Sequence, residues 1–172
     1  MKNYKKNIVT TITISRMIGI PFLLMIENDI VLLVAAGILF LTDFLDGFLA
    51  RRWNVESLNG ALLDLIADKA LVIILLLYGM IELRVGLLLF SLIAFREIYS
   101  MVIRFRSLKK DNEMIEASFI GKLKTTLQFV AILMLIMNVN GYTLLLWITV
   151  VLSYYSFSSY FRKYKGVGWI IF

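Results

Sequence analysis

Apolar runs of about 19 to 23 residues can be drawn at roughly 8–26, 30–50, 60–81, 85–106, 117–137 and 141–161, and only short polar breaks separate them. A helix rises ~1.5 Å per residue, so each run is long enough to cross ~30 Å of hydrocarbon. The breaks fall at Glu27 to Asp29, Arg51 to Asn59, Glu82 to Arg84, Ser107 to Glu116 and Asn138 to Asn140. The expectation is an all-α integral membrane protein of six transmembrane helices, forming a single domain over residues 1–172 with no linker and no internal repeat. Composition agrees, since 60% hydrophobic residues, 17% charged residues and a mean hydropathy of +0.86 exceed what a soluble globular domain carries.

The net charge of +6 comes from 18 Lys and Arg against 12 Asp and Glu. In a soluble protein that balance would suggest nucleic acid. Here most basic residues flank apolar runs, so anionic lipid headgroups are the expected partner and nucleic acid is not. Lys2, Lys5, Lys6, Arg51, Arg52, Arg104, Arg106, Lys109, Lys110, Arg162, Lys163 and Lys165 fall on one side of the six runs, and Arg84 falls alone on the other. Short loops rich in Lys and Arg stay cytoplasmic, which places both termini in the cytoplasm. The lysines before the first run imitate a signal peptide, but Arg16 interrupts that run and no small-residue cleavage site follows. The first run is therefore expected to be retained. Tyr154, Tyr155, Tyr160, Tyr164 and Trp169 crowd the last run and tail, where amphipathic rings anchor at the headgroup level.

Cysteine and histidine are both absent. Disulfides, thiolate metal sites, cysteine nucleophiles, serine-histidine triads, His-ligated zinc and histidine bases are excluded together. Any metal must be held by carboxylates, which suits hard ions such as Mg²⁺ or Mn²⁺.

Such carboxylates exist. Asp43, Asp46, Asp64 and Asp68 lie inside or at the ends of the second and third runs, where an unpaired acid costs roughly 2.5–3.5 kcal/mol near mid-membrane. Pairing with Arg51, Arg52 and Lys69 would neutralise charge but explains no spacing. Asp43 and Asp46 share a helical face that Gly47 and Ala50 continue without bulk, and Gly60, Asp64 and Asp68 recur every four residues on the next run. Two antiparallel helices joined by Arg51 to Asn59 would bring these faces together, small residues permitting close approach. Four converging carboxylates would repel one another unless cations filled the site, and two divalent ions about 3.5–4 Å apart fit the geometry used in phosphoryl chemistry. Intramembrane acids also mark cation transporters and channels. Against that reading, these acids gather at one membrane face, and the last three runs hold no carboxylate deeper than Glu97.

The pattern Asp43-x-x-Asp46-Gly47-x-x-Ala50-Arg51, then eight residues, then Gly60-x-x-x-Asp64-x-x-x-Asp68, resembles the signature of the CDP-alcohol phosphatidyltransferases at every fixed position. Within that family the wider text is most similar to the bacterial phosphatidylglycerophosphate synthases. The similarity rests on Thr13-x-x-Arg16 with Pro21, on Thr42 through Asn54 with Ala67-Asp68-Lys69, and on Arg96-Glu97-Ile98 with Gly121-Lys122-Leu123-Lys124-Thr125, and it covers about residues 7 to 130. Val9 and Leu65 stand where that subfamily usually has proline.

The resemblance implies a homodimeric membrane enzyme, its site open to the cytoplasm. It would transfer the phosphatidyl group of CDP-diacylglycerol to sn-glycerol 3-phosphate, releasing CMP. By that analogy Asp43, Asp46, Asp64 and Asp68 bind two ions, Mg²⁺ or Mn²⁺, and Asp68 is also the general base. Thr42, Asp43, Gly47, Ala50, Arg51 and Gly60 would hold CDP-diacylglycerol. A cardiolipin synthase using phosphatidylglycerol as acceptor is the alternative within the family.

For the acceptor phosphate, Arg96 near the middle of the fourth run needs a partner or an anion. Glu97 is adjacent but about 100° away around the helix, so it is not an automatic partner. On the fifth run Gly121, Lys124, Thr125 and Gln128 share a polar face, whereas Lys122 shares a mixed face with Thr126, Phe129 and Val130 and can snorkel toward headgroups. Arg96 and Lys124 are the first candidates, with Lys122 and Arg16 in reserve. Arg16 shares a face with Thr13, equally consistent with a clamp between helices. Lys69 points away from Asp68 around the helix, toward lipid phosphate or simple charge balance.

Overall fold

Each polar break becomes a helix boundary in the computed structural model, which describes residues 2–53, 58–111 and 119–164. Within those segments the side chains at 2–10, 43–51, 53, 58–59, 61, 107–111, 119–120, 122 and 157–164 are outside the described set. Six α-helices and no strand occur among the described residues: α1 Lys2–Phe22, α2 Asp29–Trp53, α3 Leu58–Ile81, α4 Leu87–Asp111, α5 Phe119–Ile136 and α6 Tyr142–Tyr164. A single 3₁₀ turn, Leu23–Met25, follows α1 just after Pro21, whose missing N–H cannot continue the ladder.

The boundaries have local causes. Asn28 caps α2, its Oδ1 accepting the backbone N–H groups of Ile30 at 2.9 Å and Val31 at 3.1 Å. α3 and α5 end in the same crossed pair of bonds. The Arg84 N–H donates to the Gly79 carbonyl at 2.8 Å and the Leu83 N–H to Met80 at 3.1 Å; the Val139 N–H donates to Met134 at 2.9 Å and the Asn138 N–H to Leu135 at 3.1 Å. This closure needs a left-handed residue, supplied by Leu83 (φ 55) and Asn138 (φ 51). Asparagine tolerates that conformation, whereas for leucine it is a strained choice.

α3 is the central helix, packed against α1, α2, α4 and α5, while α6 lies against α4 and α5. The core between them is aliphatic, with Ile20, Leu32, Leu75, Leu76, Ile132, Leu135 and Leu146 buried. Gly79 lets α5 approach closely, since a Cβ there would stand 2.6 Å from Leu135 Cδ2. Phe40 of α2 stacks on Phe129 of α5 with ring centroids 3.8 Å apart.

At the end where α2 begins, one charged knot joins four elements. The Arg84 guanidinium grips Asp29 bidentately, at 3.2 Å to Oδ1 and 3.0 Å to Oδ2, and also donates to the Ile136 carbonyl at 2.7 Å and the Leu135 carbonyl at 3.3 Å. The Tyr78 hydroxyl donates to Asp29 Oδ1 at 2.6 Å, and the Tyr142 hydroxyl donates to the Arg84 carbonyl at 3.1 Å. The hydrogen bonds from Arg84, then that from Tyr78, hold the Asp29 carboxyl below its ordinary value, and the same bonds to Asp29 raise Arg84. The lone basic residue on this side is thus occupied in tying α2, the turn after α3 and the end of α5 together.

Polarity is distributed inside out. Ile18, Phe22, Met25, Val34, Leu87, Phe95, Leu144 and Val151 are exposed on the periphery, whereas Arg16, Lys69, Glu97, Lys124 and Gln128 are buried. Proteins in water show the reverse. Among the described residues no helix is long and apolar enough to cross a membrane. Ionisable groups interrupt the two central candidates: Asp64, Asp68 and Lys69 in α3, and Arg96, Glu97 and Arg104 in α4.

Candidate active site

The aspartate face of α3 is held from α1. Arg16, buried, donates from Nη2 to Asp64 Oδ1 at 2.9 Å, while the Asp64 side chain remains 45% exposed. Thr13, one turn earlier on α1, is buried on the same face. Arg16, in reserve for the acceptor phosphate and equally consistent with a clamp between helices, makes a contact from α1 to α3 of the kind a clamp makes.

Asp68, one turn beyond Asp64 and on the same face, has a side chain 31% exposed. Lys69 lies 3.2 Å from Asp68 Oδ2 and 2.8 Å from Glu97 Oε2. Of the two expectations for Lys69, lipid phosphate or charge balance, the contacts are those of charge balance; only its pointing away from Asp68 is corrected, since the four-carbon stem folds the ammonium back across the helical offset and the side chain is buried. At 2.8 Å the contact with Glu97 is ionic, Oε2 having no aligned hydrogen-bond donor.

Glu97 is the centre of this arrangement. Its side chain is 1% exposed, Oε1 accepts from the ammonium of Lys124 on α5, and Arg96 Nη1 lies 3.7 Å from the same oxygen, beyond hydrogen-bond length. Lys124 is buried, as the polar face of the fifth run implied. Gln128, on that face one turn further along, is buried too, and its amide Nε2 meets no hydrogen-bond partner among the described residues. The buried Lys69 and Lys124 and the nearly buried Arg96 thus gather around Glu97, with the partly exposed Asp68 against Lys69.

Other expected residues stand apart from this cluster or outside the described side chains. The Thr42 hydroxyl donates back to the Leu39 carbonyl of its own helix at 2.8 Å. Gly60 lies on α3 one turn before Asp64, half-buried. Asp43, Asp46, Gly47, Ala50 and Arg51 continue the α2 helix, and their side chains, like that of Lys122, lie outside the described residues. Among the described residues no three carboxylates gather into a metal-binding group. Lys69 and Glu97 are what sequence reasoning missed. The available signal was the cost of Glu97 in mid-run, which demanded cations from other helices.

Residues 6–155 match the family described as CDP-alcohol phosphatidyltransferase. The chain is 32% identical to the CDP-diacylglycerol–glycerol-3-phosphate 3-phosphatidyltransferase of Salmonella choleraesuis (strain SC-B67), over 93% of this chain and 96% of that one. It is 36% identical to the enzyme of the same name from Escherichia coli (strain K12), over 78% of this chain and 79% of that one.

Proposed function

The chain belongs to the CDP-alcohol phosphatidyltransferase family, and from that premise we propose that it transfers the phosphatidyl group of CDP-diacylglycerol to sn-glycerol 3-phosphate, giving phosphatidylglycerophosphate and CMP. One observation in the structure supports the acceptor: the ammonium groups of Lys69 and Lys124, both buried, and the guanidinium of Arg96 gather around Glu97 next to Asp68. A small phosphorylated alcohol seated on that cluster would present its hydroxyl to the aspartate face.

Asp68 is the general base in this reading. It takes the proton from the attacking hydroxyl; the hydroxyl oxygen bonds to the phosphorus carrying diacylglycerol, and the bond from that phosphorus to the CMP oxygen breaks. Lys69 keeps Asp68 oriented, and Arg16 does the same for Asp64. Asp43, Asp46, Asp64 and Asp68 would hold two divalent ions, Mg²⁺ or Mn²⁺. The described pair suits that role, being all-oxygen, partly exposed and one turn apart on a single face. When bound, such ions polarise the diphosphate and stabilise the departing CMP. Thr42, Gly47, Ala50, Arg51 and Gly60 complete the nucleotide end, Arg51 by pairing with phosphate oxygens.

The exposed apolar periphery supports embedding in the cell membrane, with six helices crossing and their charged residues turned toward one another rather than toward lipid. The lysine and arginine asymmetry supports cytoplasmic termini and a cytoplasmic site. A homodimer is the expected assembly. The test is CMP release by the purified protein given CDP-diacylglycerol, Mg²⁺ or Mn²⁺, and a panel of alcohols. Release with glycerol 3-phosphate is expected; release with phosphatidylglycerol alone would make the protein a cardiolipin synthase instead.

A further inference from the structure

Glu97 is the only buried acidic residue among the described ones, and it belongs to no part of the signature that marks the catalytic aspartates. Its two oxygens are divided between helices, Oε2 facing Lys69 of α3 at 2.8 Å and Oε1 taking the ammonium of Lys124 from α5. A lysine ammonium is a point charge on a flexible stem, so its place must be set by a partner. Two of them in one buried cluster also repel, more strongly in a low dielectric than in water. Without a carboxylate between them, neither would hold a fixed position for a ligand.

We propose that Glu97 is the positioning residue of the acceptor site, fixing Lys69 and Lys124 as a rigid cationic pair that meets the acceptor's phosphate. The inference rests on the reading of the acceptor as a phosphorylated alcohol. Arg96 Nη1 lies 3.7 Å from Glu97 Oε1, and Asp68 Oδ2 lies 3.2 Å from Lys69, so the lysine pair opens beside the aspartate face. Each ammonium has three donors. Lys124 commits one to Glu97, and Lys69 meets Glu97 through charge without an aligned bond, so donors remain for an arriving phosphate.

The experiment compares full-length wild type, Glu97→Gln and Glu97→Asp, following CMP release while glycerol 3-phosphate and CDP-diacylglycerol are varied in turn. Glu97→Gln keeps the volume and removes the charge; it should raise the KM for glycerol 3-phosphate at least about tenfold, the low end for losing a charge-assisted contact, and leave the KM for CDP-diacylglycerol within about twofold. Inorganic phosphate, competing with glycerol 3-phosphate, should inhibit the variant more weakly than wild type. Glu97→Asp should recover part of the loss. Equal rises in both KM values, or an unchanged KM for glycerol 3-phosphate, would overturn the assignment. If Glu97→Gln does not accumulate as folded protein, the same split measured on Glu97→Asp decides: a selective rise supports the role and none refutes it. Should wild type use phosphatidylglycerol and ignore glycerol 3-phosphate, the acceptor reading fails. A selective rise in the KM for phosphatidylglycerol would then still support positioning by Glu97, and its absence would end that too.

Discussion

Two charged knots tie this helical bundle, and they are built on opposite principles. At the Arg84 end one guanidinium meets Asp29 in a bidentate fork, with Glu82 at 3.8 Å, takes two helix-end carbonyls besides, and is braced by two tyrosine hydroxyls. About nine residues lower on α3, roughly 14 Å at ~1.5 Å per residue, Glu97 lies between the ammonium groups of Lys69 and Lys124, with Arg96 at 3.7 Å and Asp68 against Lys69. The first knot uses arginine, whose planar fork is preorganised for a fixed partner. The second uses lysines, whose remaining donors suit a ligand that comes and goes.

Substitutions in the two knots should therefore separate activity from stability. The largest effect is expected at the edge of the lysine knot, where Asp68→Asn should lower turnover by at least roughly 10²-fold, the low end for losing a general base. CMP release at saturating metal measures it, and near-normal turnover would remove Asp68 from that role. Lys124→Ala should come next, lowering kcat/KM for glycerol 3-phosphate about 10- to 150-fold, as loss of a contact worth roughly 1.5–3 kcal/mol implies. A matching loss for CDP-diacylglycerol would show that the lysine is merely structural.

The arginine knot should behave in the reverse way. Arg84→Ala leaves Asp29 and two helix-end carbonyls without their donor, which should cost about 1–3 kcal/mol of stability in a thermal melt while leaving KM values near wild type. Its pH dependence follows from Asp29, whose folded-state value lies below the ordinary 3.8 because of Arg84 first and Tyr78 second. A depressed carboxylate stabilises the fold above its unfolded value and loses that contribution as pH falls through the folded one. The melting temperatures of wild type and Asp29→Asn should thus differ fully at neutral pH and converge as the pH drops below 3.8. A difference that persisted unchanged into acid would show that the fork contributes nothing as an ion pair.

The smallest effect lies in the turn that carries this knot. Leu83 sits at φ 55 with 93% of its surface exposed, so Leu83→Gly relieves backbone strain and removes little packing. A gain of about 0.5–1 kcal/mol is expected after the greater freedom of glycine in the unfolded chain is counted. Destabilisation in the same melt would mean that Leu83 makes contacts which the fold does not suggest.

Features read from nearest neighbours along the chain were legible without a structure. The start of α2 and the end of α5 fell where the apolar runs placed them, because capping by Asn28 and closure at Asn138 depend on a few adjacent residues, whereas α4 runs on past its apolar stretch to Asp111. The ladder of Gly60, Asp64 and Asp68 on one face follows from helical periodicity alone, as does the shared face of Lys124 and Gln128. Periodicity gave the wrong direction for Lys69, because it places Cβ atoms and not the end of a long flexible stem.

What the sequence determined by itself is the helical order, the aspartate signature and the family's chemistry, all of which reside in spacing along one chain segment. Only tertiary structure decided that Arg16 meets Asp64, that Arg84 closes on Asp29, and that Lys69 and Lys124 share Glu97. Those partners lie on different helices, and which faces meet is set by the packing of all the helices together, with α3 at the centre. A buried charge must find a partner, but the cost that enforces pairing names no residue; the geometry of packing does.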